Sequence, residues 1–276
     1  MNWFQALILG LVQGLTEFLP VSSSGHLVIF SNLLNIQIDE GNAFSVLLHV
    51  ATFISVCIMY KTDVWMLIRE AFLWIADIFR GRFKIETPER RMLIMIIYAT
   101  IPAVVVGLVF KVFDLEEKLS VLPVVGCTQL LTAALMYIVD RFGDGTYTKE
   151  NASPVSAWLV GLAQACALLP GLSRSGSTIT AARACGYQKE FAIKFAFLMS
   201  LPAILGAAVL EGASLIKDGA FSVELLPTAI AFIAAMISGI LAIKFMINLL
   251  KNNRFYIFSI YCALVGIVCL VFSFIS

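Results

Sequence analysis

Residues 16–26 read TEFLPVSSSGH, inside the first long apolar stretch of the chain, 3–34. A glutamate, three serines and a histidine stand where lipid would favour leucine. LPVSSSG breaks the stretch midway, and a new helix begins in SSSGHLVIF, with the serines as natural caps. A second stretch, 154–188, is broken the same way by LPGLSRSG. Each is too long for one straight span. Irregular backbone is tolerated at membrane depth only where protein buries it or a watery cavity receives it. Both stretches are therefore expected to enter, break and return as re-entrant hairpins.

The rest of the chain sets the context. Of 276 residues, 60% are hydrophobic and 13% charged, against roughly 25% charged in soluble domains, and mean hydropathy is +0.94. This composition is that of an integral membrane protein. Nineteen basic and eighteen acidic residues nearly cancel, so no nucleic acid partner is expected. The six cysteines are scattered singly in apolar segments and read as small buried hydrophobes. The start, MNWFQALILG, lacks a basic segment and a cleavage site, so a removable signal peptide is not expected.

A helix needs about 20 mostly apolar residues to cross the hydrocarbon. Six segments qualify: roughly 43–60, 92–110, 121–139, 191–210, 226–248 and 255–275. Basic residues orient them. Seven (Lys61, Arg69, Arg80, Arg82, Lys84, Arg90, Arg91) lie between the first and second spans, and eight more (Arg141, Lys149, Arg183, Lys189, Lys194, Lys244, Lys251, Arg254) fall on the same side. The other side receives Lys111, Lys118 and Lys217. Fifteen against three makes the 61–91 segment cytoplasmic. Within it, VWMLIREAFLWIADIF mixes aromatics and charges either as an interfacial helix or as an ordinary connecting one.

An offset of 151 places Gly10, Leu11, Gln13, Ser22, Ser24 and Gly25 on Gly161, Leu162, Gln164, Ser173, Ser175 and Gly176. The expected fold is an all-α polytopic membrane domain over 1–276, with six transmembrane helices and two re-entrant hairpins. Repeat 1 covers about 1–140 and repeat 2 about 152–276. Three spans per repeat is an odd number, so the second repeat is inverted and the two broken tips meet near mid-membrane. Transporters are built this way, which keeps a carrier of phosphate or lipid phosphate as an alternative function.

New helices start after both breaks. Their first N–H groups lack internal partners and favour anions. Ser22, Ser24 and Gly25 at one start, with Ser173, Ser175 and Thr178 at the other, are candidates to cradle phosphate, although any of the hydroxyls could serve as a cap only. Arg174 offers a planar, bidentate partner for phosphate. Glu17 and Gln13, four residues apart on one helical face, could share a divalent cation through hard oxygen ligands. His26 lies one turn beyond Ser23 and could be general base, acid or nucleophile. Glu17 and Arg174 could also be a plain structural ion pair. His49, alone in SVLLHVATF, reads as a hydrogen-bonded packing residue.

QGLTEFLPVSSSGH and LPGLSRSGSTIT resemble the two signature motifs of the bacterial undecaprenyl-diphosphate phosphatases, the bacitracin-resistance family. The resemblance covers essentially the whole chain. It implies an inner-membrane enzyme with its active site facing outward. Such an enzyme removes the terminal phosphate of undecaprenyl diphosphate and recycles the lipid carrier for wall synthesis. Other polyprenyl diphosphates would be substrates, membrane lipid the surroundings, and a homodimer a candidate assembly. Divalent metal, Mg²⁺ or Ca²⁺, would be needed. By the same resemblance Glu17 binds metal, Ser23 and His26 supply nucleophile and base, and Arg174, flanked by Ser173 and Thr178, binds phosphate. Many members carry a glutamate where this chain has Gln13, which can ligate through its carbonyl but brings no charge.

Overall fold

The computed structural model describes residues 1–36, 43–81, 87–217, 219 and 223–275. Arg82 and Lys84, used above to orient the chain, lie outside the described residues. Twelve helices are present among those described: α1 Trp3–Phe18, α2 Ser23–Leu33, α3 Ala43–Met59, α4 Lys61–Phe79, α5 Pro88–Phe113, α6 Leu115–Leu119, α7 Leu122–Val139, α8 Pro154–Cys166, α9 Arg174–Ala184, α10 Lys189–Lys217, α11 Leu225–Lys251 and α12 Tyr256–Ile275.

Five of these, α5, α7, α10, α11 and α12, are long and apolar enough to cross a membrane. The sixth expected span is α3, apolar over its 17 residues. At its end the chain turns by 94° into α4, so α4 runs across the direction of the span instead of continuing it. Trp65, Phe72 and Phe79 are exposed along it, as the interfacial reading expects. Arg90 at the start of α5 pins α4 in place, its Nε 2.6 Å from Glu70 Oε1 and its Nη2 2.7 Å from Asp77 Oδ2. The protein is thus an all-α multi-pass membrane protein.

Local chemistry explains where the hairpin arms begin and end. Asn2 and Gln5 form a reciprocal capping box at α1, each side chain taking the other's backbone N–H at 2.8 Å. Leu19 ends α1 in extended conformation (φ −70°, ψ 144°) because Pro20 follows it. The chain then passes Ser22 at φ +70°, a left-handed conformation costly for a non-glycine residue. In the second hairpin Ser153 caps α8 with Pro154 at its first position. Gly171 turns the break at φ +85°, and a Cβ there would stand 2.4 Å from Thr128 Oγ1.

The packing repeats with the sequence. Helices α1 and α8 begin 151 residues apart, as do α2 and α9. Arm α1 packs along α11, and arm α8 packs along α5. Helix α3 touches α11 as α10 touches α5, while α3 with α10 and α7 with α12 pair directly. Glycines permit the closest approaches. A Cβ on Gly10 would sit 2.3 Å from the Ala231 carbonyl oxygen, and one on Gly161 would sit 2.3 Å from that of Ala99. Backbones meet this closely where small residues line a membrane helix interface. Each hairpin is thereby clasped by a span from the other half of the chain.

Candidate active site

The two breaks lie side by side, held by polar residues of span α7. Gln129 Nε2 donates to the Val21 carbonyl oxygen in the first break (3.0 Å). Thr128 Oγ1 donates to the Pro170 carbonyl oxygen in the second (2.6 Å), and the Ser173 N–H donates to Thr132 Oγ1 (3.1 Å). Ser175 Oγ bridges the hairpins directly by donating to the Leu19 carbonyl oxygen (3.3 Å). Unwound backbone inside a membrane must find such partners, since no water offers them.

Glu17 is the hub of the cluster, its side chain 1% exposed. Oε2 accepts from Ser23 Oγ at 2.7 Å and from Gln13 Nε2 at 3.1 Å. Oε1 accepts from Arg174 Nη2. Three helices, α1, α2 and α9, therefore converge on one carboxylate. Phe18, Ser175, Thr178, Phe197 and Ser200 line the cleft around Glu17 and Arg174. The cleft is narrow, about 10 Å³.

The expected site residues divide into two groups. Gln13, Ser23 and Arg174 each bond to Glu17, and Ser175 and Thr178 line the cleft around it. Among the described residues, Ser173, Ser22, Ser24 and Gly25 make no bond to Glu17, and the Thr178 hydroxyl turns back to its own helix. Ser173 caps α9 by accepting from the Gly176 N–H (3.1 Å), and Thr178 Oγ1 bonds back to the Arg174 carbonyl oxygen (2.8 Å). Ser22 Oγ and Ser24 Oγ are 3.4 Å apart. Gly25 faces open space, where an added Cβ would meet nothing nearer than Ser22 Oγ at 4.0 Å.

His26 does not reach Ser23. Its Nδ1 is 2.8 Å from the Ser22 carbonyl oxygen and its Nε2 is 2.5 Å from Tyr261 Oη on α12, with the two rings stacked. A carbonyl oxygen can only accept, so Nδ1 carries the proton. Nε2 of the neutral ring is then the acceptor, occupied by the tyrosine hydroxyl. Sequence reasoning passed over Tyr261, and over Thr128, Gln129 and Thr132. The polar run in GCTQLLT, inside an otherwise apolar span, was a usable signal for the last three. Tyr261 sits in an aromatic-rich stretch that resembles any lipid-facing surface.

The donor set also suits a cation. Gln13 is fully buried, and its Oε1 has no hydrogen-bond partner among the described residues. An orphaned oxygen one turn from a carboxylate fits a hard divalent ion that takes its remaining ligands from water or phosphate. No group of three His, Cys, Asp or Glu side chains gathers among the described residues.

Residues 6–268 match the family model described as bacitracin resistance protein BacA. The chain belongs to that family. It is 47% identical to an undecaprenyl-diphosphatase of Bacteroides fragilis over 99% of both chains. It is 44% identical to one from Parabacteroides distasonis over 97% of each, and 39% identical to one from Alkaliphilus metalliredigens over 99% of each. The match reaches from the first hairpin into α12.

Proposed function

We propose that this chain is an undecaprenyl-diphosphatase. It hydrolyses the terminal phosphate of undecaprenyl diphosphate, releasing orthophosphate and the monophosphate carrier that wall synthesis reuses. Lowering the diphosphate pool deprives bacitracin of its target, which accounts for resistance. The observation that carries this reading is Glu17 holding Ser23 and Arg174 at the starts of two helices from different hairpins. Nucleophile, proton acceptor and phosphate-binding cation are thereby adjacent.

In this arrangement Ser23 Oγ attacks the terminal phosphorus, the bond from that phosphorus to the bridging oxygen breaks, and the lipid monophosphate departs. The hydroxyl proton passes along the existing hydrogen bond to Glu17. Water then attacks the phosphoserine phosphorus, the bond to Oγ breaks as Glu17 returns its proton to that oxygen, and orthophosphate leaves. Arg174 exchanges Glu17 for the phosphoryl oxygens, and the N–H groups at the starts of α2 and α9 add fixed donors. Gln13 and Glu17 would hold the Mg²⁺ or Ca²⁺ that offsets phosphoryl charge when bound. His26 and Tyr261 act together in the second step: the proton of the attacking water passes to the Tyr261 hydroxyl as that hydroxyl passes its own to His26 Nε2.

The reading extends to an active site open to the outer face of the bacterial plasma membrane, to shorter polyprenyl diphosphates as substrates, and to a homodimer. Acid-quenched turnover of terminally labelled substrate tests the chemistry. Acid-stable phosphoserine at Ser23 is expected. Acid-labile phosphohistidine at His26 would move the nucleophile there and overturn the assignment to Ser23.

A further inference from the structure

Ser23 and Ser24 are consecutive in the first turn of α2, yet they serve different spaces. Ser23 Oγ is bound to Glu17, whereas Ser24 lines a separate cavity of about 170 Å³ between α2, α3 and the second break. This volume is far above the roughly 10–15 Å³ that admits one water. Its wall has two characters. Ser24, Ser45 and His49 are polar, while Leu27, Leu168 and Leu172 are apolar. His49 Nδ1 donates to the Ser45 carbonyl oxygen at 3.0 Å. Nε2 is left as its polar atom for the cavity. Gly25, in the same turn of α2, leaves room beside that helix start, where an added Cβ would meet nothing nearer than Ser22 Oγ at 4.0 Å.

We propose that this cavity is the subsite for the phosphate that stays on the lipid, together with the first units of its prenyl chain, and that His49 is the residue that recognises it. The inference rests on the phosphatase reading and deepens it. A diphosphate laid across the start of α2 would present its terminal phosphate to Ser23 and Arg174 on one flank. Its inner phosphate would meet the Ser24 hydroxyl on the other, together with the Nε2–H that His49 offers as an imidazolium. The leucine wall favours a phosphate joined to a hydrocarbon over free orthophosphate, because apolar surface contributes only where an apolar ligand covers it. His49 therefore touches substrate without taking part in the attack at the terminal phosphorus.

Two probes separate the sources of phosphate. Binding of farnesyl monophosphate and of orthophosphate is measured calorimetrically on the full-length protein in detergent, for wild type, His49→Leu, His49→Gln and Leu168→Trp. Wild type is expected to bind farnesyl monophosphate more tightly than orthophosphate. His49→Leu should lose about tenfold or more in farnesyl monophosphate affinity, the scale of one hydrogen bond to a charged group, and His49→Gln, which keeps a polar head, should recover most of it. Leu168→Trp narrows the cavity and should weaken the same ligand even if His49→Leu fails to fold. Farnesyl monophosphate affinity unchanged in both folded variants would overturn the proposal, and so would orthophosphate affinity falling in parallel with it. Wild-type protein that binds farnesyl monophosphate yet releases no phosphate from undecaprenyl diphosphate would sink the phosphatase reading and leave the subsite standing.

Discussion

Glu17 and Arg174 are 157 residues apart in sequence and share one ion pair where the two hairpins meet. Each comes from a different broken helix, so neither hairpin alone contains the site. The glutamate side chain is 1% exposed and the arginine 27%. Breaking a buried pair by removing one partner leaves an uncompensated charge, at a cost of about 3–5 kcal/mol. Arg174→Met and Glu17→Gln should each lower thermal stability in detergent. The double variant should recover part of the loss while remaining inactive. Single variants as stable as wild type would show that the pair holds nothing together.

Tyr261 and His26 should behave as a unit. Tyr261→Phe removes the hydroxyl that occupies Nε2 and should reduce turnover much as His26→Ala does, with the double variant little worse than either single one. The pH profile of turnover should change in Tyr261→Phe, a response that lost packing alone would not produce. Additive losses would uncouple the pair.

Gln13 offers a test of cation binding that does not depend on turnover. Gln13→Glu places a second carboxylate beside Glu17. Without divalent ions the like charges should lower the thermal midpoint below wild type. Adding Mg²⁺ or Ca²⁺ should raise it more steeply in the variant than in wild type. Equal metal responses in both proteins would place the cation elsewhere.

The glycine contacts make the two clasped arms comparable. Gly10→Ala and Gly161→Ala each drive a methyl into a backbone carbonyl at 2.3 Å, and neither backbone can yield without separating its helices. Overpacking of this kind costs about 1–3 kcal/mol. Similar losses of thermal stability are expected at both positions, and full tolerance at either would contradict the close approach seen there.

Much of this architecture was legible because lipid makes simple demands. The apolar segments near 43–60, 92–110 and 255–275 became α3, α5 and α12 within a few residues, since length and hydropathy alone decide a span. The breaks were legible too, because Pro20 cannot continue a helix and serines favour the start of the next one. Contacts made across the bundle were not. Nothing local in YCALVG says that Tyr261 faces His26, or that Cys262 donates its Sγ–H to the Pro20 carbonyl oxygen at 3.3 Å. His49 read as a packing residue and does bond to its own helix at Ser45, but only the fold shows that it also faces a cavity. The Ser23–His26 pairing suggested by one helical turn gave way to Ser23–Glu17 and His26–Tyr261, because the left-handed Ser22 redirects the start of α2.

The central claim is that the two breaks together form one phosphatase site. Its most direct test is phosphate release from undecaprenyl diphosphate by purified, lipid-reconstituted protein, with Mg²⁺ or Ca²⁺ and with chelator, alongside Glu17→Ala and Arg174→Ala. Metal-dependent release by wild type, abolished in both variants, is predicted. No release from folded wild-type protein, or full activity in either variant, would contradict it.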